Sequence, residues 1–424
     1  MDNIIQILEE RDMLDTVTTQ DLRELLKTPT RLYCGFDPSA DGLHLGSMVP
    51  IMVLAWFQRC GHTPFVLVGG ATGMIGDPTG KSEERVLLNE KQLEGNVKGV
   101  SRDLKTILTA DPTLPQPHFL NNYDWFKEFS FLEVLRDVGK YFRVGQMLSK
   151  ESCRARMDSE EGMSFTEFSY QLLQGYDFLH LYKRYGVTLQ IGGSDQWGNI
   201  TAGTDLVKKA TGNSVHGLTV PLLLRSDGKK FGKSEKGAIW MSEEKLSPYE
   251  FYQYLVRVED RDVIPLLKRL TFLPIDDILA IEHAMQKEDY PANKAQRILA
   301  EEVTKIVHGN MGLDKALKAT ELMNPGKVGS RVTENDIQML LNDVPSAQLK
   351  YDDVVEQKGL DIIVKTAFQK SKGDVRRLIK NGGLYLNGEK IENENFAICP
   401  ADILGGKYIL FAFGKKNKAI VEVL

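Results

Sequence analysis

Two polar, glycine-containing loops, far apart in a chain of 424 residues, carry side chains suited to phosphate chemistry. The first is His44-Leu45-Gly46-Ser47, between a short apolar run and a helical pattern. A helix start offers free N–H groups and positive potential to phosphate. His44 can donate to a phosphate oxygen, and Gly46 lets a nucleotide come close to the backbone. The second is Ser226-Asp227-Gly228-Lys229-Lys230-Phe231-Gly232-Lys233-Ser234, whose cations Lys230 and Lys233 suit a loop that closes over a triphosphate. Taken singly, each is an ordinary loop: a histidine beside a packing glycine, and a solvated lysine turn. A third stretch, Gly70 to Ser82, is a glycine-rich turn followed by the cations Lys81 and Arg85. It is not a P-loop, because Ile75 stands where that motif needs its first glycine.

Tyr170, Gln174 and Asp177 fall at i, i+4 and i+7, so a helix puts all three on one face. A core helix would show an apolar stripe there. The pattern alone leaves a solvated stripe and a ligand-facing stripe both open. The net charge is -5, which argues against wholesale coating of nucleic acid. Its distribution says more. Residues 357–424 hold 12 Lys/Arg and 7 Asp/Glu, a basic module on an acidic body, which suits contact with a polyanion. The four cysteines are widely spaced with no Cys-x-x-Cys pair, which disfavours zinc and a disulfide framework and fits a reduced cytoplasm. No apolar run reaches the length of a membrane span, and the N-terminus shows no signal-peptide pattern.

The elements that must position these residues read as an open α/β domain. Residues 4–26 have helical periodicity. Strands are predicted at 31–35, 64–69, 188–192 and 220–224, and a helix at 45–60. Strand–helix–strand order favours a parallel sheet, whose ligands sit beyond the strands' carboxyl ends. Residues 248–323 read as consecutive helices punctuated by Pro265, Pro274 and Pro291. A polar stretch at 324–356, with one short helix at 333–342, reads as a linker. The last 68 residues read as a small α+β unit, with a helix at 373–380 and a hairpin at 384–391 turning on Asn387-Gly388. The expected division is a catalytic domain 1–225, a loop and connection 226–247, a helical domain 248–323, the linker 324–356 and a terminal domain 357–424.

The paired loops resemble the HIGH and KMSKS signatures of the class I aminoacyl-tRNA synthetases. Five further segments (32–38, 68–78, 121–125, 165–170 and 190–200) are similar to the bacterial tyrosyl-tRNA synthetases among them. Ser47 replaces the usual second His of the first signature, with shorter reach and no charge. Phe231 and Gly232 replace Met and the first Ser of the second, as is usual for tyrosine enzymes. The resemblance implies a Rossmann-like parallel-sheet catalytic domain, a helical anticodon-recognition domain and a C-terminal RNA-binding module like one in a ribosomal protein. It implies the reaction of L-tyrosine with ATP to tyrosyl-adenylate and pyrophosphate, then transfer to the terminal adenosine of tRNA(Tyr). Mg²⁺ is expected to accompany ATP, with no dedicated protein site.

By the same resemblance, Tyr170, Gln174 and Asp77 hold the tyrosine ammonium group, and Asp177 and Tyr33 bond its phenolic hydroxyl. Asn122 and Gln196 orient the carboxylate or the ammonium group. Asp37, Gly192 and Asp195 face the ribose or adenylate. His44, Gly46, Ser47, Lys230 and Lys233 serve the phosphates, with Lys81 and Arg85 in support. RNA contacts are expected from Lys208 and Lys209, and from Lys372, Arg376, Arg377, Lys380, Lys415 and Lys416. A homodimer is implied, with Phe165 and a helix at 130–145 as its interface. The competing classes are another adenylate-forming nucleotidyltransferase, a tryptophan-specific sister, and a non-catalytic RNA-binding protein. The Tyr33/Asp177 pair and the basic terminal module argue against the first two, and the retained His44, Lys230 and Lys233 against the third.

Overall fold

Near-continuous apolar runs form a parallel sheet covered on both faces, as such runs must. The computed structural model describes residues 3–79, 88–157, 162–228, 230–234, 237–322, 334–341, 344–414 and 417–424. Its first sheet comprises β1 (Arg31–Phe36), β2 (Thr63–Val68), β3 (His118–Asn121), β4 (Leu189–Gly193) and β5 (His216–Val220), in the order β3-β2-β1-β4-β5. Every pairing is parallel, with Arg31 opposite Thr63 and Leu32 opposite Leu189. The chain reverses its direction of winding between β1 and β4. That is the switch point at which open α/β sheets bind ligands.

Helix Met48–Arg59 is buried over most of its length, from Met48 through Phe57. Helix Phe165–Tyr185 starts at a capping box of Ser164 and Glu167 and ends at Gly186, whose φ of 64° makes a left-handed stop. Glu167 also forms a buried ion pair with Arg156 at 2.9 Å. Next to it runs helix Trp197–Thr211, where a side chain at Gly203 would meet Phe178 at 3.1 Å.

Four expectations are corrected in this part of the chain. The periodicity over 4–26 is two helices, Ile4–Glu10 and Leu22–Leu25. Arg11 ends the first. Its buried guanidinium donates to the carbonyls of Lys268, Thr271 and Leu273 and lies 4.2 Å from the Trp56 ring, and Asp12 takes a φ of 54°. The strand expected at 220–224 lies at His216–Val220, because Pro221 has no N–H to continue a ladder. Pro265 does not punctuate. It sits inside helix Asp260–Leu270, held there by burial of Val263, Leu266, Leu267 and Leu270. The 130–145 helix is broken into Phe131–Glu133, a wide π turn at Val134–Val138, a 3₁₀ turn at Gly139–Tyr141 and the start of Val144–Leu148. Val138 is buried there while Phe131, Leu132, Leu135 and Val144 are exposed, so no packed apolar face enforces a regular helix.

Internal contacts divide the chain into two compact units, Met1–Lys245 with Val256–Val307, and Leu246–Leu255 with His308–Leu424. The expected helical span 248–323 contributes to both. A two-stranded ribbon, β6 (Lys233–Ser234) with β7 (Gly237–Ala238), belongs to the first unit. The second unit carries β8 (Ser346–Leu349), β9 (Leu384–Leu386), β10 (Glu389–Lys390), β11 (Tyr408–Phe413) and β12 (Asn417–Val423), in the order β10-β9-β11-β12-β8. The expected hairpin is there, with Asn387 and Gly388 at φ 50° and 88°, the pair of left-handed residues that a tight hairpin turn requires. The helices Glu334–Leu340 and Lys372–Lys380 lie within a residue or two of expectation. β8 falls inside the expected linker and pairs in parallel with β12, so the terminal sheet begins earlier than the charge pattern suggested. Among the described residues no helix is long and apolar enough to cross a membrane.

Candidate active site

The carboxyl ends of β1 and β4 open into a cavity of about 280 Å³. Tyr33 on β1 and Asp177 on helix Phe165–Tyr185 both line it, at 1% and 2% exposure. Asp177 accepts from Asn122 Nδ2 at 3.1 Å and from Trp125 Nε1 at 3.0 Å. Burial pushes its carboxyl well above the ordinary carboxylate range, against the pull of those two donors. Burial, helped by the Asp177 charge, likewise raises the Tyr33 phenol. Among the described residues, Tyr33 Oη, Gln174 Oε1 and Gln190 Oε1 are buried with no hydrogen-bond partner, and all three side chains line the cavity. Native interiors seldom leave such groups unpaired, so three in one cavity point to a polar ligand that completes them.

Next to this pocket is a set of carboxylates. Asp37 accepts from Tyr170 Oη and from Thr72 Oγ1, both at 2.7 Å. Asp77 accepts from Gln196 Nε2 at 2.6 Å and from the Thr79 N–H at 2.9 Å. Asn199 in turn donates to Gln196 Oε1 at 3.1 Å. Asp195 also lines the cavity, and burial reinforced by Asp77 pushes its carboxyl up. Asp37, Asp77 and Asp195 around one small volume favour a cation, such as an ammonium group. The whole is tied together by Asn122, which donates to Thr72 Oγ1 as well as to Asp177 and accepts from the Ala71 N–H at 2.7 Å.

At one edge of the cavity Gly46, Ser47, Gly192 and Gly193 bring backbone to the surface. His44 caps the turn Leu45–Ser47 by accepting from the Gly46 N–H on Nδ1 at 3.0 Å, which leaves Nε2 as the N–H donor. Burial, then the charges of Lys233 and Lys230, lower the imidazole pKa and favour its neutral form. The lysine loop packs directly on this turn. Gly232 has a φ of +84°, and a Cβ there would lie 2.6 Å from the Gly46 nitrogen. His44, Lys230 and Lys233 thus flank the cavity rather than line it. Lys81 and Arg85 lie outside the described residues, as do Lys415 and Lys416.

The expected RNA contacts are dispersed. Lys208 donates to the Gly212 carbonyl at 3.1 Å and Lys209 to the Tyr141 carbonyl at 3.1 Å, both near the end of their own helix. In the second unit Lys372 pairs with Asp361, Arg376 with Glu394 at 3.3 Å, and Arg377 with Asp374, while Lys380 is exposed. Exposed pairs of this kind are weak and exchange readily for a phosphate partner. Sequence reading gave no role to Thr72 and Gln190, which line the cavity, or to Trp125, which holds Asp177, although all three fall within the segments 68–78, 121–125 and 190–200. Trp125 closes the 121–125 segment whose resemblance was noted. Gln190 interrupts the apolar β4, and a buried amide in a parallel strand was its available signal.

Residues 25–323 match the family model described as tRNA synthetases class I (W and Y). Residues 336–421 match that of the tyrosine–tRNA ligase SYY-like C-terminal domain. The tyrosine–tRNA ligase of Protochlamydia amoebophila is 54% identical over the full length of both chains. This chain belongs to the tyrosine–tRNA ligase family of class I aminoacyl-tRNA synthetases. The chloroplastic/mitochondrial tyrosine–tRNA ligase of Arabidopsis thaliana is 49% identical, across 99% of this chain and 84% of that one. Among solved structures, a C-terminally truncated mitochondrial tyrosyl-tRNA synthetase of Aspergillus nidulans superposes with a TM-score of 0.67 at 33% identity, over 74% of this chain and 92% of that one. The class I match covers both tyrosine and tryptophan enzymes, and the C-terminal match is to the tyrosine type.

Proposed function

We propose that this chain activates L-tyrosine with ATP to tyrosyl-adenylate and pyrophosphate, and then transfers the tyrosyl group to a hydroxyl of the terminal adenosine of tRNA(Tyr), the bond from the carbonyl carbon to the phosphate oxygen breaking as AMP leaves. The observation that carries this reading is the unpartnered Tyr33 hydroxyl buried beside Asp177, in a cavity rimmed by carboxylates. A phenol hydroxyl satisfies the first end and an ammonium group the second. Tyr33 and Asp177 take the hydroxyl. Asp77, Tyr170 and Gln174 take the ammonium, with Gln196 holding Asp77 and Asn122 holding Asp177. The tyrosine carboxylate attacks the α-phosphorus, and the bond from that phosphorus to the bridging oxygen breaks as pyrophosphate leaves. The nucleophile is already ionised, so positioning and charge stabilisation supply the catalysis. Lys230 and Lys233 meet the charge that develops on the leaving group, with Lys81 and Arg85 in support. His44 donates from Nε2. Ser47 contributes an uncharged hydroxyl, and Gly46 allows close approach. Asp37, Gly192 and Asp195 face the ribose or adenylate. Mg²⁺ enters with ATP as part of the substrate complex.

The same reading assigns 1–225 to catalysis, 226–247 to the phosphate loop, 248–323 to anticodon recognition, 324–356 to a connection and 357–424 to RNA binding, in the cytoplasm. Lys208 and Lys209, with Lys372, Arg376, Arg377, Lys380, Lys415 and Lys416, contact RNA phosphates. A homodimer is supported by exposed large apolar side chains in the segments expected at its interface: Phe131, Leu132, Val144 and Phe165 are 65%, 75%, 62% and 66% exposed.

Tyrosine-dependent exchange of pyrophosphate into ATP tests the reading. It is expected with tyrosine and not with phenylalanine or tryptophan; equal rates for the three, or none with tyrosine, would sink it. Removing residues 344–424, β8 included, is expected to leave exchange within about twofold and to lower tRNA charging about tenfold or more, through lost phosphate contacts. Loss of both steps together would refute a separate RNA-binding role.

A further inference from the structure

The segment that follows the lysine loop is stapled to the His44 loop by contacts that the proposed chemistry does not use. His44 and Trp240 form a backbone bridge, with the Leu45 N–H donating to the Ile239 carbonyl at 2.8 Å and the Met241 N–H to the Leu43 carbonyl at 2.9 Å. The Ile239 N–H also donates to the Gly232 carbonyl at 2.9 Å, so this segment holds the lysine loop from behind. Lys245 closes the arrangement. Its ammonium pairs with the Asp41 carboxylate and stands 4.0 Å from the centre of the Trp240 ring. The His44 loop is itself pinned to helix Glu90–Leu108. The buried Asp103 carboxylate accepts from the Leu43 N–H at 2.7 Å, and Arg102 pairs with Glu244 at 2.6 Å.

We propose that Lys245, held between Asp41 and the Trp240 ring, is a positioning residue that locks the lysine loop onto the His44 loop. Building on the reading above, the lock sets the placement of Lys230 and Lys233 at the nucleotide end of the cavity. An ammonium suits both partners: it pairs with a carboxylate and meets the negative face of an indole. Lys245 and its two partners, Asp41 and Trp240, are not among the described residues that line the cavity. Its removal therefore loosens the loop while leaving the tyrosine subsite in place.

Two readouts test this. In Lys245→Met, tryptic cleavage after Lys230 and Lys233, followed by mass spectrometry on the folded full-length chain, is expected to run about tenfold faster, as cleavage follows local opening. The exchange kcat is expected to fall about tenfold with the KM for tyrosine within twofold, since a displaced loop loses phosphate contacts alone. Lys245→Arg should restore most of both, because a guanidinium also pairs with Asp41 and stacks on Trp240. Asp41→Asn should act like Lys245→Met, and the double variant should be no worse than either single one. Unchanged cleavage in Lys245→Met would overturn the lock. So would a rise in tyrosine KM that tracks the loss of kcat, or an Arg variant no better than Met. Wild-type protein without tyrosine-dependent exchange would instead defeat the functional reading, and the cleavage comparison would still decide the lock.

Discussion

Asp177→Ala is expected to lower the preference for tyrosine over phenylalanine by about 100-fold, through the loss of a buried hydrogen bond and of the penalty for leaving its buried partner unpaired. The side chain is almost wholly enclosed and already engaged by Asn122 and Trp125, which fix its two oxygens in place. Phenylalanine in the wild-type cavity leaves Tyr33 Oη without a partner and Asp177 without its ligand, in a site closed to water. Tyrosine satisfies both. With alanine at 177 that penalty on phenylalanine is largely gone, while tyrosine also loses its partner, so the two substrates converge. The measurement is kcat/KM for exchange with each amino acid, alongside the thermal midpoint of the variant. A ratio like that of the wild type in a folded variant would show that the hydroxyl is read elsewhere. Tyr170 and Asp77 lie at the other end of the pocket, so the ammonium contacts are expected to survive.

How much of this pocket was legible in the sequence follows from the range of the interactions. Tyr170, Gln174 and Asp177 share one helix, and helical spacing alone placed them on one face. The two glycine loops follow the first and the last strands of a single α/β sheet, and strand–loop–helix order fixed which end of it the first one occupies. Three of the five strands, β1, β2 and β4, were visible because strands buried on both faces must be apolar; β3, with His118 exposed and the rest half-buried, gave no such run, and β5 was displaced. What the sequence did not show are contacts between residues 30 to 200 positions apart. The Thr72 hydroxyl between Asp37 and Asn122, and the Trp125 indole on Asp177, depend on tertiary placement that no periodicity records. The same holds for Arg11, whose guanidinium caps carbonyls some 260 positions away and so ends a helix that local pattern would continue. The apolar run Leu222-Leu223-Leu224 misled because hydrophobicity does not say what it faces. Leu222 and Leu223 line the cavity beyond the strand instead of filling the sheet. β8 was missed because a four-residue edge strand of alternating exposure leaves little signal.

Gly232→Ala is expected to lower the exchange kcat about 100-fold, the scale on which a misplacement of about 1 Å acts, with the KM for tyrosine unchanged. Two physical demands meet at this residue. Its φ of +84° is a conformation that side chains rarely adopt, and its α-carbon lies against the backbone of the His44 loop. An added Cβ would stand 2.6 Å from the Gly46 nitrogen and 3.2 Å from the Leu45 carbonyl carbon, neither of which can swing aside like a side chain. The lysine loop must therefore lift, and Lys233 is the next residue along it. Glycine at 232, where the general class I signature has serine, is thereby explained by its fit against Gly46. Gly228 is the internal comparison, since its φ of +81° is similar but a Cβ there meets open space. Gly228→Ala carries only the backbone penalty, about 1 to 2 kcal/mol, and should lower stability with little change in kcat. If the two alanine variants lose kcat equally, strain alone is responsible and the packing of Gly232 on Gly46 is not what holds the lysines. If only Gly232→Ala loses it, the two motifs act as one surface, and the His44 turn serves as the seat on which the lysine loop is placed as well as a donor to phosphate.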